Sequence, residues 1–146
     1  MIQELIIIFD RDLDRLKKEI EAFNDEQNLW VTQGGITNSA GNLCMHLIGN
    51  LKTYIGKNIG NYPYVRDRHA EFNTKHIPKK TLLNEIEQTK IIIRSSLKDI
   101  NPKILNEPYI DNVLGFEMTN TFFLIHLTAH FSYHLGQINY LRRILD

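Results

Sequence analysis

The stretch Phe122-Phe-Leu-Ile-His126-Leu-Thr-Ala-His130-Phe-Ser-Tyr-His134-Leu-Gly-Gln137 decides how the chain reads. Three histidines stand in it, each four residues after the last, and residues four apart share one face of an α-helix. Projected at roughly 100° per residue, Phe123, Leu127, Ile138, Leu141 and Leu145 fall on one side with His130 and His134 among them. Thr128, Ser132, Asn139 and Arg143 fall on the other. The imidazoles therefore lie on the face predicted to enter a core, where an unpartnered polar group is costly. A single histidine there is most simply a core residue with a hydrogen bond. Two at i, i+4 on one apolar face also make a helical metal chelate.

The same periodicity recurs upstream. Ile2, Ile6, Phe9, Leu13, Leu16, Ile20 and Phe23 repeat at spacings of three and four, which predicts a first amphipathic helix of about six turns. After a Gly34-Gly35 loop, over which Trp30 is expected to fold back onto the bundle, Thr37-Asn38-Ser39 offers N-caps for a second helix running to Ile55. Its buried stripe is Ala40, Leu43, Leu47, Leu51 and Tyr54; His46 stands on the shoulder, with Asn42 and Asn50 one turn either side. Leu83, Ile86, Ile93, Leu97 and Ile100 mark a third helix beginning near Pro78–Thr81 and stopped at Asn101-Pro102. Thr119 or Asn120 caps the fourth, which carries the histidines to Leu145. Residues 57–77 and 103–118 read as long connections, and connections of that length permit same-direction neighbours. The expectation is an all-α four-helix bundle forming one domain over residues 1–146.

Composition narrows the function classes. The chain has 146 residues, 42% hydrophobic and 23% charged, which describes a globular protein with a sizeable core. Seventeen basic and seventeen acidic residues leave no net charge, and no long basic run supplies the phosphate neutralisation that nucleic-acid binding rests on. No segment approaches the length of a membrane span, and Leu5–Phe9 runs straight into Asp10-Arg11-Asp12, unlike a signal peptide. One cysteine, Cys44, cannot close an internal disulfide and reads as a small core residue. These features predict a cytoplasmic protein that engages neither nucleic acid nor membrane.

A capped helix reading Ser39-Ala-Gly-Asn-Leu-Cys-Met-His46-Leu-Ile-Gly-Asn50, followed downstream by His130-Phe-Ser-Tyr-His134-Leu-Gly-Gln137, resembles the DinB-like superfamily. The likeness covers almost the whole chain, in helix order and in motif order. Arg66-Asp-Arg68-His69-Ala-Glu71-Phe72 also resembles a Glu-Phe element of one branch of that group. What the resemblance implies is a bundle holding a divalent metal on His46, His130 and His134. His126 is then a neighbour of the metal or substrate rather than a ligand. Gly136 is expected to allow close helix approach, and Asn50 and Gln137 to support the histidines from behind. Relatives include thiol-dependent S-transferases and an isomerase using low-molecular-weight thiols, so a thiol co-substrate, or a hydrolysis, is implied.

Three neutral imidazoles leave a fourth position open, the arrangement of a catalytic zinc site. All-nitrogen ligation suits Zn²⁺ foremost and also Ni²⁺, Fe²⁺ or Co²⁺. No carboxylate obviously accompanies the histidines, so Glu71, Asp67 or a metal-bound hydroxide is the candidate base. Arg66 and Arg68 are candidates to hold an acidic substrate if their loop closes over the site. His69 and His76 read as solvated loop residues. The rival reading is a non-catalytic, dimeric metal-binding stress or interaction protein. In that reading Leu124, Phe131 and Leu135, off the main apolar face of the last helix, form the homodimer contact.

Overall fold

The amphipathic periods become helices where they were expected, with one addition. In the computed structural model, which describes residues 1–146, α1 spans Ile2–Ala22, α2 Ala40–Leu51, α3 Arg68–Asn73, α4 Lys79–Lys98 and α5 Asn120–Leu145. α2 runs on through a π-helical turn over Lys52–Lys57, and 3₁₀ turns occupy Glu26–Trp30 and Pro102–Asn106. Ser39 Oγ accepts from the Asn42 amide at 3.3 Å, and Thr119 Oγ1 from the Phe122 amide at 3.1 Å. Each cap thus satisfies an amide that its own helix leaves free. The addition is α3. The 57–77 segment reads as a connection, yet Asp67 Oδ1 accepts from the Ala70 amide at 2.9 Å and starts six residues of helix. That is under two turns, too short to show a period of 3.6.

Side-chain pairs between the helices fix their directions. Lys17 meets Glu87, Lys90 meets Asp14 and Arg94 meets Asp10, so α1 and α4 run antiparallel. Lys52 pairs with Glu85, while Gly56 faces Ile92 and Gly60 faces Ser96, so α2 and α4 run parallel. Tyr54 packs on Phe123 while His46 packs on His130 and His134, which makes α2 and α5 antiparallel. α1 packs on α4 and α5, and α2 packs on the same two, giving the order α1, α4, α2, α5 around the bundle. The path is therefore up, down, down, up. Because α2 and α4 point the same way, the chain between them must travel back along the bundle. This crossover carries α3 and lays it beside α2.

The core is continuous from Leu5 to Leu141 and takes in Phe9, Phe23, Phe123 and Phe131, all fully buried. Each such side chain stabilises by about 1.5–3 kcal/mol, whereas surface ion pairs contribute little. The core sets the packing and the ion pairs follow it. Trp30 does fold back, its ring within 3 Å of where a Cβ on Gly41 would stand, and Cys44 is buried. One expectation fails. Leu124, Phe131 and Leu135 are buried inside the chain itself and offer no surface to a second copy. The last helix lies in an angle between α1 and α2, so its buried sector is wider than a single stripe. No helix is long and apolar enough to cross a membrane.

Candidate metal centre

Antiparallel packing of α2 on α5 brings three histidines from two helices to one point. The ring-nitrogen donors of His46, His130 and His134 all lie within 4.8 Å of one another. His46 Nε2 stands 3.2 Å from His130 Nε2. His46 is buried, and His130 and His134 are half-buried at the edge of the bundle. The i, i+4 pair thus borders the core rather than filling it.

The opposite side of each outer imidazole is held. Glu71 Oε1 lies 3.1 Å from His46 Nδ1, and Gln137 Oε1 lies 2.7 Å from His134 Nδ1. A carboxylate or amide oxygen only accepts, so both Nδ1 atoms carry the proton and both Nε2 lone pairs are left free. Arg66 also approaches His46 Nδ1, at 3.5 Å. Both groups are donors, so the carboxylate decides the tautomer. Arg66 spends its fork on Glu71 instead, Nε to Oε2 at 2.8 Å and a terminal nitrogen to Oε1 at 2.9 Å.

The crossover is built to deliver that carboxylate. Asn42, one turn before His46, donates from Nδ2 to the carbonyls of Glu71 at 2.9 Å and Thr74 at 2.8 Å, tying the C-terminal turn of α3 to α2. Phe72 covers the His46 ring at 4.8 Å. Gly49 leaves the room: a Cβ there would stand 2.0 Å from Glu71 Oε2. Burial opposes the Glu71 anion, but its bonds to His46 and Arg66 hold its carboxyl below the usual range. Burial likewise opposes the Arg66 cation, and Glu71 outweighs it.

The other predicted residues divide. Glu71 accompanies the histidines as the partner of His46, so a carboxylate is present where the sequence showed none. Arg66 is committed to Glu71, while Arg68 is exposed and lies over the Phe72 ring at 5.9 Å. The crossover does close over the site, but the guanidinium that reaches it neutralises a carboxylate of the chain itself. His126 lies outside the cluster, its ring 6.2 Å from His130 and stacked on Phe123. Gln137 supports His134 as expected. Asn50 is buried, but its Oδ1 meets no partner and it bonds to no histidine; Asn42, on the other flank, is the asparagine that works. His69 and His76 are exposed. Gly136 brings no helix close, since nothing lies within 4 Å of a Cβ built on it. Sequence reasoning missed Gly49 and the role of Asn42. Their signal was there: a mid-helix glycine three residues after His46 is a gap on the neighbouring face.

The donor set fits a divalent ion. Two nitrogens bound at ~2.1 Å to a tetrahedral ion stand about 3.4 Å apart, close to the 3.2 Å between His46 and His130. In the metal-free chain the buried His130 Nδ1 has no partner, and its Nε2 faces a lone pair. Burial, with His134 and His46 alongside, pushes His130 down to about 4, so it is neutral and free to ligate near neutral pH. Burial lowers His134 as well. A groove of about 840 Å³ begins at His134 and Gln137 and runs along the outer face of α5.

Fold and site together define an all-helical protein in which three histidines from two helices bring ring nitrogens within 4.8 Å of one another. The family of proteins of unknown function designated DUF1572 matches residues 2–146, and the chain belongs to it. Comparison with curated proteins and with solved structures gives no match.

Proposed function

We propose that the protein is a divalent-metal-dependent enzyme of the DinB-like type, acting on a small molecule as a thiol S-transferase or a hydrolase. The observation that carries this reading is the pair of oriented imidazoles. Glu71 and Gln137 fix the tautomers of His46 and His134, and a ring nitrogen of each lies within 4.8 Å of one of His130. A structural core histidine needs one partner; His46 and His134 each have one behind, and each is still gathered with His130. A bound Zn²⁺, or Ni²⁺, Fe²⁺ or Co²⁺, supplies Lewis acidity that makes a thiol or water nucleophilic near neutral pH.

The chain's own residues do the rest. Glu71 accepts from His46 Nδ1 and keeps its ring from turning, and Arg66 balances the Glu71 charge so that the carboxylate stays ionised in its buried place. Only three protein donors converge, which leaves room for a substrate atom. In S-transfer the thiol sulfur forms a bond to an electrophilic carbon, the leaving group departs from that carbon, and the thiol proton goes to a base or solvent. His126, half-buried one turn from His130, is the candidate to take that proton. The test is metal analysis of tag-free protein followed by a thiol-conjugation screen. Stoichiometric metal with metal-dependent turnover upholds the reading. A fully occupied four-protein-ligand site, or metal without turnover of any thiol or ester substrate, favours a binding protein instead.

A further inference from the structure

The groove beside His134 has a composition that specifies what it can hold. Tyr133 and Tyr140 stand on one face of α5, seven residues and about 10 Å apart, each 66% exposed. Gly136 lies between them as the floor, with open space where its Cβ would be. The opposite wall is the Gly35–Asn38 loop with Leu43 of α2, and Ile144 closes the far end. No Asp, Glu, Lys or Arg lines it. At about 840 Å³ it is the size of a small-molecule site. Arg143 stands over the Tyr140 ring at 5.7 Å but is not among the lining residues, so a charged ligand held by the lining alone would lose its hydration with no counter-charge in contact. An acidic substrate is also poorly served elsewhere, because the one arginine that reaches the centre is bound to Glu71.

From this we infer that the groove is the binding subsite for an uncharged, mainly aromatic or aliphatic small molecule, whose body lies between Tyr133 and Tyr140 and whose end abuts His134. The inference rests on reading the histidine cluster as the reactive centre. Gln137 supplies the polar contact: its Oε1 accepts from His134, which leaves its amide N–H groups to donate to an oxygen of the bound molecule. The exposed tyrosines then serve as an aromatic bed rather than a surface accident.

The probe is N-phenyl-1-naphthylamine, a neutral dye that brightens in apolar sites, compared with anilinonaphthalene sulfonate, which has the same aromatic body and a negative charge. The neutral dye is expected to bind one per chain, and the sulfonate about tenfold or more weakly. Gly136→Leu, whose side chain projects into open space and leaves the core untouched, is expected to weaken the neutral dye by about tenfold or more with its circular dichroism unchanged. Equal binding of the two dyes, or equal binding by Gly136→Leu, overturns the inference. So does a wild-type dimer that binds neither dye and becomes a monomer in Gly136→Leu, since a second copy would then be the occupant. Zinc uptake is measured on the same samples. Dye binding without zinc leaves the groove standing and removes the metal reading; zinc binding without dye does the reverse.

Discussion

Glu71 stands 3.1 Å behind His46 and within 3 Å of Arg66, so a carboxylate from the crossover, and not from either histidine helix, orients the innermost imidazole. The up-down-down-up path explains why. A return strand along the bundle is needed to start α4 beside α2, and that return passes over His46.

Removing the charge of Glu71 tests this arrangement. Glu71→Gln keeps the size but weakens the bond to His46 Nδ1 and leaves Arg66 unbalanced. Metal affinity, measured by competition with a chromophoric chelator, is expected to fall by about 10–100-fold with the helical content kept. Affinity unchanged within error would mean that Glu71 does not orient the ligand.

Two glycines should respond in opposite ways to the same substitution. In an open helical position Gly→Ala adds about 0.5–1 kcal/mol of stability, and Gly136→Ala is expected to gain that much in denaturant unfolding. At Gly49 the new Cβ would overlap Glu71 Oε2, at 2.0 Å. Gly49→Ala should therefore gain nothing, and should weaken metal binding as Glu71→Gln does. Equal stabilisation at both positions would show that Glu71 moves aside freely.

The metal-free protein should have a pH dependence of definite sign. His130 titrates near 6.5 in the unfolded chain and at about 4 when folded, because burial disfavours its charge. Between those values the unfolded state holds more protons, so stability rises with pH. Stability of the metal-free chain is therefore expected to fall as pH drops from about 6.5 toward 4, with His134 acting in the same direction. His130→Asn should flatten the slope, and an identical slope in that variant would assign the effect to other groups.

Much of this fold was legible because long helices write a period of 3.6 many times over. Ile2 to Phe23 and Phe122 to Leu145 each repeat it for six turns or more, and the caps of α2 at Ser39 and of α5 at Thr119 are local chemistry. The three histidines were legible for the same reason, two by spacing and His46 by its place on a helix shoulder. What stayed hidden depends on contacts between distant residues. Glu71 reaches His46 across 25 positions from a helix of under two turns, and no periodicity reports that. Leu124, Phe131 and Leu135 were misplaced because a single projected stripe underestimates a helix wedged between two others. Gly136 was misread because a glycine looks the same in sequence whether it admits a neighbour, as Gly49 does, or opens a groove.

The measurement that bears most directly on the central claim is metal content of protein purified without an affinity tag, compared with the His130→Ala/His134→Ala double variant. The account predicts about one divalent ion per chain, taken up in full after stripping, and its loss in the double variant with the helical fold retained. A wild-type protein that carries no metal and takes up none, or a double variant that binds as well as the wild type, would contradict it.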